Sequence, residues 1–155
     1  METLEILSEY ELERGKPMPS INHGVIQARL IGALLKYEDQ YTVASELTLD
    51  LEPQPLIPDI CVYPRFSLDL LHDQIKAQKL PLLVVEILSP RQYISDLIDK
   101  MELYFAAGVK SGWLVQPALS SIVIFTPEME STVYSSGEMT DPVVGITVNL
   151  DKIFS

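Results

Sequence analysis

The chain has 155 residues, 47% of them hydrophobic, with 22 acidic against 11 basic side chains and a net charge of −11. This length fits one compact domain that buries about 68–70% of its unfolded surface, and the hydrophobic share excludes a disordered chain. The acidity argues against non-specific coating of nucleic acid, which needs many Lys and Arg on phosphates, but not against an enzyme that needs only a few such contacts.

The longest clean apolar runs, such as 82–85, fall far short of the ~20 residues of a membrane helix. The opening Met1-Glu-Thr-Leu-Glu is acidic, with no basic stretch ahead of an apolar one. No secretory signal is read there, and the expected location is cytoplasmic. Cys61, the one cysteine, lies in an apolar run and reads as a small core residue.

In chain order, residues 10–13 read as a strand, followed by a turn at Gly15 and an extended lead-in between Pro17 and Pro19. Ser20 stands where an N-cap belongs. Helical spacing of Ile21, Val25, Ala28 and Leu35, with Ile31 and Leu34, predicts a helix over 21–37. Residues 40–51 alternate for part of their length and predict a strand with one apolar face. A loop over 52–55 leads to a second strand, 57–63, ended by Pro64. Residues 67–78 read as a short helix. Residues 81–88 are almost wholly apolar and predict a central strand buried on both faces. A helix over 93–107 follows, closed by Gly108. Strands are expected over 113–115, 121–125, 132–135 and 146–150. The order, α-β-β-β-α-β and then hairpin-like strands, implies a mixed α/β sandwich around a central sheet.

Two carboxylates do not belong in such strands: Asp59 in Ile57-Pro-Asp-Ile-Cys-Val-Tyr, and Glu86 in Leu82-Leu-Val-Val-Glu-Ile-Leu. Burying an unpaired carboxylate costs several kcal/mol. Alternation places Glu86 on the face of Val84 and Leu88. Either residue alone is also explained by bonding to backbone N–H groups or a lysine. Both together, on strands that could be adjacent, point to a shared cation, and two carboxylates plus waters form the sparse oxygen site that Mg2+ prefers. Lys100 lies at the edge of its helix's apolar stripe, beside Leu97 and Tyr104. From there it could project inward or pair on the surface with Asp96, one turn earlier, and position alone favours the surface pair. His23 falls in a first helical turn, where the positive helix end favours the neutral imidazole, so it could ligate or hydrogen-bond as well as cap or pack. Glu11 and Glu46 are further candidates, each also explained as an exposed-face residue, and Trp113 reads as core. The sequence holds no Gly-rich phosphate loop, zinc-ligand spacing or nucleophile elbow.

Together these stretches resemble the bacterial family of putative restriction endonucleases within the PD-(D/E)XK nuclease superfamily. The matching pieces are Tyr10-Glu-Leu-Glu-Arg-Gly, Asn22-His23, Ser45-Glu-Leu-Thr-Leu and Pro58-Asp59, followed by Val84-Val-Glu-Ile-Leu-Ser-Pro90 and Asp96 with Lys100 and Tyr104. Ala107-Gly-Val-Lys-Ser-Gly-Trp-Leu-Val and the tail from Gly145-Ile to Ile153-Phe154 complete the set, which spans nearly the whole chain. The resemblance implies a restriction-endonuclease-like mixed sheet flanked by helices. It also implies a divalent metal, Mg2+ or Mn2+, held by Asp59, Glu86 and the backbone carbonyl of Ile87. The superfamily's lysine normally stands two residues after the glutamate, where this chain has Leu88, so Lys100 on the following helix is the candidate for that role. DNA as substrate and a homodimer are implied with it, since duplex cleavage cuts two strands and two-fold oligomers are the commonest kind.

The resulting expectation is Mg2+-dependent hydrolysis of DNA phosphodiester bonds. The alternatives are a catalytically silent nuclease-fold module serving binding or assembly, which the net charge of −11 favours, and a metal-binding α/β domain with another substrate. Arg14, Lys16, Arg29, Lys36 and Arg91 would have to cluster near the carboxylates to grip DNA.

Overall fold

The computed structural model describes residues 8–155. It opens with α1 (Glu9–Arg14) and α2 (Ile21–Leu34), the latter extended by a 3-10 turn, Leu35–Tyr37. Strands β1 (Tyr41–Ser45), β2 (Thr48–Leu49), β3 (Ile60–Pro64), β4 (Lys76–Ala77) and β5 (Leu83–Ile87) lead to α3 (Ile94–Ala107). Then come β6 (Ser111–Gln116), β7 (Ser121–Phe125), β8 (Ser131–Tyr134), β9 (Glu138–Thr140), β10 (Thr147–Asn149) and α4 (Leu150–Ile153).

The main sheet has six strands in the order β1-β3-β5-β6-β7-β8. Only the β5–β6 pair is parallel, as expected where a helix crosses between them, and the other four pairs are antiparallel. Every residue of β5 is buried, because both faces are covered. Leu83, Val85 and Ile87 meet the core beneath α2, α4 and the β9–β10 hairpin. Val84 points to the opposite core, which Leu97, Met101 and Tyr104 of α3 complete, and Leu88 packs against it. This is the expected mixed α/β architecture. Gly112 sets how closely α3 can approach, since a Cβ there would stand 2.5 Å from Met101 Sδ.

Four expectations change. Residues 10–13 are not a strand but part of α1, because Ser8 and Glu11 form a reciprocal capping box and Gly15 closes the helix in the left-handed region at φ 65°. The predicted helix over 67–78 is absent. Its apolar residues Leu68, Leu70, Leu71 and Ile75 all face solvent, and Asp69 Oδ1 instead accepts from the N–H groups of Leu71 and His72 in a tight turn. A short helix without a packed face is marginal in water. The strand over 40–51 breaks at Glu46, where φ is 54°, so β1 and β2 are separate pieces. The buried stripe of α2 is His23, Ile26, Leu30 and Leu34, whereas Ile21, Val25 and Leu35 are exposed.

Candidate active site

The register of the sheet builds the site. Ser45 pairs with Ile60, and Ile60 pairs with Val85. One step further along both ladders, Glu46 stands opposite Asp59, and Asp59 opposite Glu86. The Glu46 N–H donates to the Asp59 carbonyl at 3.1 Å, which holds this row together just past the end of the β1–β3 pairing. Side chains directly opposite one another share a face, with Cβ atoms about 4.5–5.5 Å apart. The two carboxylates singled out in the sequence are therefore neighbours, and each is only 1% exposed.

Asp59 is heavily solvated by the protein. Its Oδ2 accepts the Ile87 N–H at 2.7 Å and lies 3.2 Å from His23 Nε2. Its Oδ1 accepts from Lys16 Nζ at 2.6 Å, and Gln27 of α2 donates to its backbone carbonyl at 3.0 Å. Burial by itself would raise the Asp59 carboxyl. The His23 hydrogen bond and the Lys16 charge overcome that and hold it below the usual carboxylate range.

Glu86 is more poorly provided for. Its Oε1 accepts from the Tyr104 hydroxyl at 2.6 Å, the one hydrogen bond it makes among the described residues. Burial, together with the adjacent Asp59 charge, pushes its pKa up to about 7, even though Lys100, Lys16 and the Tyr104 bond all pull it down. Glu86 is thus the less saturated of the two buried carboxylates.

Lys16, one of the basic residues that would have to cluster near the carboxylates, is the one that reaches Asp59. Its Nζ reaches Asp59 Oδ1, Glu46 Oε2 at 2.9 Å and the Ile57 carbonyl at 3.3 Å, and the residue is 7% exposed. Burial would lower its pKa, but Asp59, Glu86 and Glu46 together hold it above the ordinary lysine value. Arg14, at the end of α1, donates to the Glu46 carbonyl at 2.9 Å and to Oε2 at 3.3 Å. The capping box of α1 was a visible signal for where this helix starts, but nothing local shows that its C-terminal cations turn inward. Tyr104 offered a better cue, since a tyrosine in a buried stripe needs a partner for its hydroxyl.

The other candidates divide. Lys100 is half-buried and lines a cavity of about 490 Å³ together with Glu11, Lys16, Arg91, Gln92 and Asp96. Its charge acts on Glu86, and among the described residues it forms no ion pair with Asp96. Asp96 caps the start of α3 by accepting the Tyr93 N–H at 3.3 Å. Glu11 accepts the Ser8 N–H at 3.2 Å, and that bond lowers its pKa. His23 is buried with Nδ1 unpartnered. Of the basic residues that would have to cluster, Arg14, Lys16 and Arg91 lie on this side. Arg29 bonds to the Ile153 and Ser155 carbonyls and lines a different cavity with Lys36.

Among the described residues no group of three or more His, Cys, Asp or Glu side chains is arranged to hold a metal. What the site offers is Asp59, Glu86 and the backbone edge of Ile87. In a strand the N–H and C=O of one residue project to the same side, and the Ile87 N–H already points at Asp59. Two carboxylates and a carbonyl suit Mg2+, which retains several waters. No described helix is long and apolar enough to cross a membrane.

The comparisons with known proteins agree with this architecture. A crystal structure of a putative nuclease from Anabaena variabilis, assigned to the DUF820 group, is similar over 89% of this chain and 83% of that one, with a TM-score of 0.75 and 21% identity, a likeness of fold. No curated protein matches the chain. The family model of Uma2, described as a putative restriction endonuclease, matches residues 3–151. That match spans both halves of the sheet and every carboxylate of the row, and it makes the chain a member of the Uma2 family of putative restriction endonucleases.

Proposed function

We propose that this protein is a Mg2+-dependent endonuclease that hydrolyses DNA phosphodiester bonds, with Mn2+ able to substitute. The observation that carries the reading is that Asp59 and Glu86 stand one step beyond the Ile60–Val85 pair at one end of β3 and β5, beside a cavity lined by Lys16, Arg91 and Lys100. Asp59, Glu86 and the Ile87 carbonyl would hold the metal, which when bound supplies Lewis-acid polarisation of the phosphate and a more acidic water. Lys100 orients the attacking water and balances charge developing on the phosphoryl oxygens. Tyr104 holds Glu86 in place through Oε1, and the Ile87 N–H and His23 do the same for Asp59. The cations of the cavity wall supply the few phosphate contacts that an acidic protein can offer. The setting is cytoplasmic, where DNA and Mg2+ are both at hand. The working form is a homodimer, a state that the exposed apolar side chains Ile21 and Val25 on α2 and Leu35 in the 3-10 turn after it would favour.

One observation favours a catalytically silent module instead: the Lys16 ammonium already neutralises Asp59. Plasmid nicking separates the two readings. The parent is expected to nick supercoiled DNA with Mg2+ or Mn2+ and not with EDTA. Asp59→Ala should be inactive, and Lys100→Met should lose several orders of magnitude while keeping its metal-induced rise in melting temperature. A parent protein that never nicks removes the nuclease reading, and full activity in Lys100→Met removes Lys100 from its role. Light scattering that gives a monomer mass at micromolar protein would remove the dimer.

A further inference from the structure

A buried ammonium bound to three oxygens is a cation site already filled. Lys16 Nζ meets Asp59 Oδ1, Glu46 Oε2 and the Ile57 carbonyl, so its three N–H donors each have an acceptor. We propose that Lys16 is a built-in counter-ion that competes with the divalent metal for Asp59, so that metal binding displaces the ammonium into the adjoining cavity. This inference rests on the metal-site reading above and adds to it how the site is kept and released.

The surroundings suit a cation that leaves. When Lys16 withdraws, Glu46 is not stranded, because Arg14 already donates to both its carbonyl and its carboxylate. Asp59 keeps the Ile87 N–H and His23 on Oδ2, so its carboxylate stays oriented and only Oδ1 is opened. Glu86, with a single donor, gains most from an additional positive charge. The ammonium also has a place to go. Lys16 lines the same cavity as the acidic residues Glu11 and Asp96. Its backbone follows Gly15, the left-handed residue that closes α1, and its flexible four-carbon stem can swing without moving the sheet. Without metal, the same lysine prevents two buried, adjacent carboxylates from facing each other uncompensated. Displacement would also add a cation to the wall where a phosphate backbone would lie.

The test is the Mn2+ concentration that gives half of the maximal rise in melting temperature, measured for the parent, Lys16→Met, Lys16→Gln, and each variant combined with Asp59→Asn. Both single variants are expected to need at least about tenfold less Mn2+ than the parent, because the competitor is gone and a buried charge is left unpaired. The gain should vanish with Asp59→Asn. An equal or higher Mn2+ requirement in the single variants, or a gain that survives Asp59→Asn, overturns the proposal. A Lys16 variant that is unfolded without metal and folds on adding Mn2+ supports it, and one that Mn2+ fails to restore overturns it. Plasmid nicking in parallel keeps the two ideas apart. Tighter Mn2+ binding in the variants with no nicking by any protein leaves the counter-ion standing and removes the nuclease. Nicking by the parent with unchanged Mn2+ affinity in the variants does the reverse.

Discussion

Among the described residues carboxylates are buried at two places, and they are treated in opposite ways. Asp141, fully buried in the turn between β9 and β10, has a donor for every direction. Ser111 Oγ and Trp113 Nε1 of β6 donate to its Oδ2 at 2.5 and 2.7 Å, and the N–H groups of Val143 and Val144 donate to its Oδ1 at 2.7 and 3.0 Å. No lysine approaches it among the described residues. Its role is to tie the β9–β10 hairpin to the central sheet. Asp59 and Glu86 sit at the end of β3 and β5 with a lysine between the row's charges and, on Glu86, a single hydroxyl donor. Burial is the same at the two places, and the difference lies in saturation. Neutral donors fill the acceptors of Asp141, whereas Asp59 leans on a lysine and Glu86 is left with one donor, the kind of perturbed pair that clusters at functional sites.

This contrast can be broken most directly at Asp141. Asp141→Ala leaves the indole N–H, a hydroxyl and two backbone N–H groups without their acceptor. It should lower unfolding stability by about 4 kcal/mol in urea titration while leaving the metal-induced rise in melting temperature intact in whatever protein remains folded. A loss below about 1 kcal/mol would mean that saturation does not mark structural carboxylates here.

A smaller effect of opposite sign is expected at Glu86. Its folded pKa is raised to about 7 against an ordinary 4.5. The folded state therefore holds this proton longer than the unfolded chain, and the stability linked to it is full below pH 4.5 and is lost as pH rises through 7. The difference amounts to about 3 kcal/mol for the metal-free protein. Glu86→Gln should flatten that fall and leave the variant more stable than the parent at pH 8 in EDTA. Denaturation of both proteins across this range checks it, and a parent whose stability climbs through the window contradicts it.

The smallest expected effect sharpens the role of α1. This helix has no buried residue, so it depends on its caps. Ser8→Ala removes one half of the capping box and should cost about 1 kcal/mol, visible as faster amide exchange in α1. Because Lys16 follows the Gly15 that closes that helix, the same variant should slightly ease metal binding. Unchanged exchange would show that the Arg14 and Lys16 contacts alone hold the segment.

Much of this arrangement is written locally. The apolar run around Glu86 determined a central strand, because β5 is buried on both faces. The 3.6-residue spacing of Leu97, Met101 and Tyr104 determined α3, and Ser20 and Gly108 marked helix ends through hydrogen bonds made within a few residues. Asp59 and Glu86 stood out because a charge in an apolar strand contradicts its surroundings. Local patterns misled where packing decides. Leu68, Leu70 and Leu71 have helix-compatible chemistry but no surface to lie on, and α2 buries His23 and Ile26 rather than Ile21 and Val25 because the sheet lies on that side. Only the tertiary structure decided that Glu46, Asp59 and Glu86 form one row, since that depends on the register of three strands far apart in sequence. Lys16 reaches Asp59 across 43 residues, and no pattern near Gly15 could reveal it, because a lysine's partner is chosen by whichever carboxylates the fold brings within reach of its stem.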